Sequence, residues 1–237
     1  MTDGPLAGRI ALVTGASRGI GAAIAESLAS RGAHVILVGR TAGGLEEVEE
    51  RIHTAGGTGT IVPMDLTDGE SIVRLGKAIA ARWNRLDILV LNAATLGSLS
   101  PVAAYDPKDF AKVLTLNVSA QVALIAAFDG LMRASEHARV VGITSSVATQ
   151  PRAYWGAYGA SKAAFENLLL SYGQEVGGIS NLRTAIVDPG ATATKMRADA
   201  FPGEDPATIK QPEVVGEAVA NLLAEDFDNG HRIRVAG

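Results

Sequence analysis

The chain has 237 residues, 47% hydrophobic and 19% charged, with a net charge of −4 and no cysteine. That length and composition suit one α/β domain with a large core and exclude a disordered chain. The missing cysteines exclude disulfides, thiolate catalysis and cysteine–zinc sites, and a weakly acidic chain without a basic run argues against nucleic acid as a partner.

In chain order, the first predicted strand covers 9–14 and contains Ile10-Ala-Leu-Val-Thr14. Gly15-Ala-Ser-Arg-Gly-Ile-Gly21 follows and opens a helix over 19–31. A strand, a glycine-rich turn and a helix N-terminus form a ready site for a pyrophosphate. Gly15 permits the tight turn, and Gly19 and Gly21 let backbone and ligand approach, with Ser17, Arg18 and Ile20 between them. The spacing is Gly-x-x-x-Gly-x-Gly, and a glycine turn without a ligand is the plainer alternative. Strand 34–38 leads to Gly39-Arg40 with no carboxylate to bind the ribose hydroxyls of NAD. Arg40 offers a planar fork for a phosphate, and Arg18 can approach from the glycine turn, so the pair favours NADP(H) over NAD(H). Two solvated surface arginines are the alternative.

Helix 42–54, strand 58–63 with Asp65-Leu66 beyond it, and helix 69–83 come next. Strand 86–91 leads to Asn92. Helix 107–134 carries Asn117 in an apolar run, where an asparagine amide needs buried partners. Strand 137–144 leads to Ser145-Ser146, and helix 157–177 opens on Tyr158-Gly-Ala-Ser-Lys162. Strand 181–188 leads to Pro189-Gly190, and helix 212–225 and strand 231–236 close the series. This alternation predicts a doubly wound, Rossmann-type α/β domain, with an essentially parallel sheet of about seven strands and helices on both faces. One domain over 1–237 is expected, its cofactor part near 9–150 and its catalytic and substrate part near 140–237. Ligands of such a sheet lie beyond the carboxyl ends of its strands, where most of the residues named here fall.

Tyr158 and Lys162, four apart, project from one helix face. A lysine ammonium beside a phenol favours the phenolate and lowers its pKa, which suits proton exchange with a carbonyl or an alcohol. Tyr154 and Trp155 line either the substrate mouth or a subunit contact. His34, His53, His137 and His231 have no ligand spacing, so no metal is implied. With no signal-like segment and no apolar stretch of membrane-spanning length in view, a cytoplasmic protein without a membrane partner is expected.

Thr14-Gly-Ala-Ser-Arg-Gly-Ile-Gly21, Asn92-Ala-Ala94, Asn117, Ser145-Ser146, Tyr158-x-x-x-Lys162 and Pro189-Gly190 fall in the order seen in short-chain dehydrogenases/reductases, which the chain resembles from about Arg9 to Val235. The stretches Tyr154–Tyr158 and Phe201–Pro206 resemble a bacterial subgroup. The resemblance implies NAD(P)-dependent hydride transfer on a small carbonyl or alcohol. Asp65 would face the adenine with Leu66 nearby, and Asn92 would support the cofactor. Asn117 would hold a water linked to Lys162. Lys162 would also bind the nicotinamide ribose beside Tyr158, and the carboxamide would meet the backbone after Pro189-Gly190, near Thr192. The serine before the small pair Val147-Ala148 is Ser146, whereas the family's commoner spacing to the tyrosine gives Ser145; Ser146 is preferred, because loop length varies more readily. A homodimer or homotetramer through helices 107–134 and 157–177 is expected. Ala94 departs from the family's glycine, and the stretch 191–211 forms a short lid with Met196, Phe201 and Pro202. A non-catalytic NADP(H) sensor or scaffold is the alternative from another class, and a 3-ketoacyl reductase the alternative among enzymes.

Overall fold

Short runs of Val, Ile and Leu without alternating polarity make strands that helices cover on both faces. The computed structural model, which describes residues 4–236, contains β1 (Ile10–Thr14), β2 (His34–Gly39), β3 (Thr58–Pro63), β4 (Ile88–Leu91), β5 (Arg139–Ile143), β6 (Arg183–Asp188) and β7 (His231–Arg234). They form one seven-stranded sheet in the order β3-β2-β1-β4-β5-β6-β7, every pair parallel. The strand order reverses between β1 and β4, the place where such sheets open a ligand crevice.

The helices are α1 (Gly19–Ser30), α2 (Ala42–Thr54), α3 (Gly69–Trp83), α4 (Pro107–Leu114), α5 (Ala120–Arg133), α6 (Gly156–Gly177), α7 (Lys195–Ala200) and α8 (Pro212–Ala224). Two apolar layers result. One joins Ile24, Leu28, Leu45, Val48, Val219 and Leu223 to one sheet face. The other joins Ile72, Leu75, Leu124, Phe128, Phe165 and Leu169 to the opposite face.

Three expectations are corrected. The helix over 107–134 is not uniform: a π turn, Thr115–Ser119, separates α4 from α5. Such wide turns mark functional segments, and this one carries Asn117. The helical run Pro107–Arg133 is also long and apolar enough to cross a membrane, with a mean hydropathy of 1.5 in its most apolar stretch. Its alanines raise that value. The run buries Asn117, Gln121 and Phe128, and its Asp129 accepts a hydrogen bond from Tyr172 of α6, so it packs as a layer of this fold. Finally, the stretch 191–211 contains a helix, α7, which Thr194 caps by accepting from the Arg197 amide.

Candidate active site

The glycine turn is built from both sides of the crevice. Gly15 and Gly19 have φ of +66° and +56°, the left-handed region that glycine tolerates. Gly21 is demanded by the protein itself: a Cβ there would lie 2.2 Å from the Gly15 carbonyl oxygen and 2.5 Å from Asn92 Nδ2. Asn92 Nδ2 donates to the Thr14 carbonyl at 2.8 Å and to that of Gly15 at 3.4 Å. Thr14 Oγ1 donates to the Val90 carbonyl and accepts from the amides of Asn92 and Ala93. Gly21 and Asn92 therefore shape the turn.

Ser17 and Ile20 are half-buried, while Arg18 and Arg40 are exposed. Neither arginine is paired with a carboxylate among the described residues, and Arg40 lies near enough to Asp65 for its charge to act there. Asp65 Oδ1 accepts from the Thr67 amide at 2.9 Å and from its hydroxyl at 2.8 Å. These bonds, chiefly the backbone one, hold its carboxyl below the ordinary range. Leu66 is buried in the core with Ile72 and Leu75.

Tyr158 and Lys162 lie near the start of α6, both buried. Among the described residues the Tyr158 hydroxyl has no hydrogen-bond partner, yet the one fully buried side-chain polar atom left without a partner is Gln121 Oε1. The phenol oxygen therefore borders the open crevice. Lys162 Nζ donates to the Ile143 carbonyl at 2.8 Å and lies 5.7 Å from the Tyr158 ring centre. Burial pulls its ammonium down to about 8, and the Glu166 carboxylate opposes that fall. Burial pushes the Tyr158 phenol up, and the Asp188 carboxylate adds to the rise. The expected lowering of the phenol is thus reversed in the protein alone, because desolvation outweighs a lysine whose ammonium is bonded elsewhere.

Asn117 Oδ1 accepts from the Thr95 amide at 2.8 Å, and Nδ2 donates to the Thr95 carbonyl at 2.9 Å and to Ser161 Oγ at 3.0 Å. Ser161 Oγ donates to the Tyr158 carbonyl. The amide thus ties the first turns of α6 to the segment after β4, and its donors are spent within the protein. Ser145 is extended and precedes a 3₁₀ turn that starts at Ser146; both are half-buried. Thr192 is buried, and its hydroxyl donates to the carbonyls of Pro189 and Gly190.

The lid lies against this centre. A Cβ on Gly19 would sit 3.3 Å from Thr194 Cγ2. The Trp155 ring stands edge-on to Tyr158 at 6.0 Å and packs on Phe201 at 5.7 Å. Arg197 stacks 3.7 Å above Phe201 and is held by the Glu204 carboxylate. Arg152 sits 5.7 Å from the Trp155 ring centre and has no carboxylate partner among the described residues. Of the two aromatic residues before Tyr158, Trp155 packs between Tyr158 and Phe201, whereas Tyr154 is exposed with φ of 72°. A hollow lined by Arg133, Ser135, Ile179 and Arg183 lies at the opposite edge of the sheet and touches none of these residues.

The model of the short chain dehydrogenase family matches residues 9–205. The chain belongs to that family.

It is 37% identical over 221 residues to the uncharacterized oxidoreductase YciK of Escherichia coli K12, covering 92% of this chain and 87% of that one. It is 36% identical over 198 residues to the rhamnolipids biosynthesis 3-oxoacyl-[acyl-carrier-protein] reductase of Pseudomonas aeruginosa, covering 81% and 75% of the two. A crystal structure of a chain from Escherichia coli CFT073 assigned to the short chain dehydrogenases, complexed with NADPH, superposes with a TM-score of 0.93 at 36% identity and full coverage of both chains. This dehydrogenase is accordingly an NAD(P)-dependent oxidoreductase with a Rossmann-like fold.

Sequence reasoning missed three contributors to its site. Gln121 Nε2 donates to the carbonyls of Ala93 and Leu116 and so braces the segment after Asn92. Thr194 packs on the glycine turn from the lid. Glu166 lies one helical turn beyond Lys162. Its spacing was visible, but nothing in the sequence distinguishes a buried carboxylate there from an exposed one.

Proposed function

We propose that this dehydrogenase uses NADP(H) in preference to NAD(H) to reduce a carbonyl group, or to oxidise the matching alcohol. The observation that carries the reading is a Tyr158 hydroxyl without a protein partner, bordering the crevice beside buried Lys162. Gly15, Gly19 and the start of α1 fit a pyrophosphate, since the left-handed glycines close a tight turn and the helix start presents its free N–H groups. Ser17, Arg18 and Ile20 flank it, and Arg18 and Arg40, without protein carboxylate partners, fit a 2′-phosphate. Asp65 and the Leu66 main chain border the adenine side. Lys162 and Tyr158 would meet the nicotinamide ribose, and the backbone from Pro189 to Thr192 the carboxamide. When bound, NADPH supplies a hydride to the carbonyl carbon.

The chain's own residues handle the proton. With its pKa raised by burial, Tyr158 keeps its hydroxyl proton at neutral pH and can give it to the carbonyl oxygen as that oxygen gains charge. Ser146 orients the oxygen by hydrogen bonding. The phenolate left behind is reprotonated through Lys162, with a water held near Asn117. Alcohol oxidation runs each proton transfer backwards. Assembly as a homodimer or homotetramer, residence in the cytoplasm, and one domain divided into a cofactor part (9–150) and a catalytic part (140–237) belong to the same reading. Reduction of a 3-ketoacyl group on an acidic carrier is a second reading, favoured by Arg152, an exposed cation at the crevice mouth without a carboxylate partner.

The test is a screen of carbonyl compounds, 3-ketoacyl thioesters included, followed by loss of NADPH absorbance. Tyr158→Phe keeps the ring that packs on Trp155 and removes only the proton donor, so turnover should fall by about 10²–10⁴-fold. Ser146→Ala should cost more than Ser145→Ala. Tight NADPH binding with no turnover of any carbonyl or alcohol would favour a sensor, and near wild-type turnover by Tyr158→Phe would refute the proton path.

A further inference from the structure

Glu166 is a buried carboxylate with no part in the proton path described above, and it lies four residues beyond Lys162 on the same face of α6. A carboxylate out of water is costly unless it is paired and hydrogen-bonded. This one has a partner for each oxygen. The Thr144 hydroxyl donates to Oε1, and Arg232 Nη1 of β7 donates to Oε2 at 2.7 Å.

The end of β5 ties these contacts to the catalytic centre. The Ile143 carbonyl accepts from Lys162 Nζ, the next residue, Thr144, holds Glu166, and the two after it are the candidate serines. Three to four consecutive backbone positions therefore place the lysine, its neighbouring carboxylate and the serine together. We propose that Glu166 is a positioning residue of the proton relay: clamped by Thr144 and Arg232, its carboxylate sets a fixed negative charge one helical turn from Lys162, beside the end of β5 where the Ile143 carbonyl holds the lysine. This rests on the reading of Lys162 as a relay group.

The balance of charges makes the carboxylate decisive. Burial already pulls the Lys162 ammonium down to about 8, and Glu166 is the charge that opposes this. Among the described residues, Arg232 on β7 bonds Glu166, and Asp188 on β6, which acts on Tyr158, is itself faced by Arg234 and Lys210. Without the Glu166 charge, less of the lysine would be in the ammonium form that reprotonates a phenolate and donates as a cation to a ribose.

The experiment titrates Lys162 by NMR in cofactor-free protein carrying ¹³C-labelled lysine, with the signal assigned by its absence in Lys162→Arg. Glu166→Gln should lower the proton affinity of Lys162 by about tenfold, one pH unit at the midpoint. Arg232→Gln removes a cation and leaves the carboxylate, so its midpoint should stay level or rise. A Glu166→Gln midpoint equal to that of wild type overturns the proposal, as does a fall in both variants, which would mean loosened packing rather than lost charge. Should Glu166→Gln not fold, Glu166→Asp withdraws the charge by one methylene, and a midpoint that fails to drop overturns the proposal equally. Neither cofactor nor substrate enters the titration. A chain that turned over no carbonyl would lose the function proposed above while this result stood.

Discussion

Gly21→Ala separates two reasons for a glycine in a phosphate-binding turn: room for a ligand, or room for the protein's own backbone. The added Cβ would lie 2.2 Å from the Gly15 carbonyl oxygen, 2.8 Å from its carbon and 2.5 Å from Asn92 Nδ2. None of these is the loose end of a flexible side chain. Gly15 closes the turn at φ of +66°, and the Asn92 amide is pinned to the Thr14 carbonyl. Overpacking of this kind costs about 1–3 kcal/mol. Alanine returns up to about 1 kcal/mol of helix propensity at the start of α1. A net loss of about 1–2 kcal/mol lowers the melting temperature of a domain of this size by roughly 2–8 °C. Calorimetry without cofactor measures it. Gly130→Ala is the control, because a Cβ at Gly130, inside α5, would meet nothing within 4 Å. That variant should gain about 0.5–1 kcal/mol. A cofactor-free Gly21→Ala protein that melts like wild type but binds NADPH weakly would refute the reasoning and return the glycine to the ligand.

Three further outcomes follow from the same geometry. NADP(H) should bind at least about tenfold more tightly than NAD(H), or about 1.4 kcal/mol, and Arg40→Asp should reverse the order in calorimetric titrations; equal wild-type affinities would remove the argument from Arg18 and Arg40. Lys162 has its pKa pulled from an ordinary 10.5 to about 8, so between those values the unfolded chain binds a proton that the folded one has released, and stability rises with pH across that window. Below it the cofactor-free protein carries a penalty of about 3 kcal/mol, which Lys162→Met should lift, with the difference between the two proteins shrinking as pH climbs from about 8; a difference independent of pH in denaturant titrations would count against the buried ammonium. Light scattering should give a dimer or tetramer mass, and Leu168→Glu should reduce it, since Val122 on α5 and Leu168 on α6 are large apolar side chains left 44% and 40% exposed; a monomer mass for wild type would end that expectation.

What was legible in the sequence is what local pattern controls. The strands are short apolar runs, the glycine turn sits between a strand and a helix, and Tyr158 and Lys162 are one helical turn apart. All three survive because period, turn chemistry and spacing are properties of neighbouring residues. The π turn at Thr115–Ser119 escaped because those five residues contain no glycine or proline to break a helix. The sequence set Asn117 apart as an asparagine in a helix, but the partners of Asn92 and Asn117, Thr14 at one end of the chain and Ser161 toward the other, are set only by folding.

The direction of the Tyr158 shift was missed for a related reason. Spacing reveals that a lysine is near, while burial under Trp155 and the Asp188 charge are tertiary facts, and here they win. Lys162 and Glu166 make the same point in magnitude. Read as an i,i+4 pair on an exposed helix, they would be worth a few tenths of a kcal/mol, screened by solvent. Buried, with the lysine on Ile143 and the carboxylate between Thr144 and Arg232, the same two residues act on each other with little solvent to screen them. Sequence spacing identifies which charges can meet; only the depth at which they lie sets the size of the effect, and here depth comes from α6 packing on the sheet.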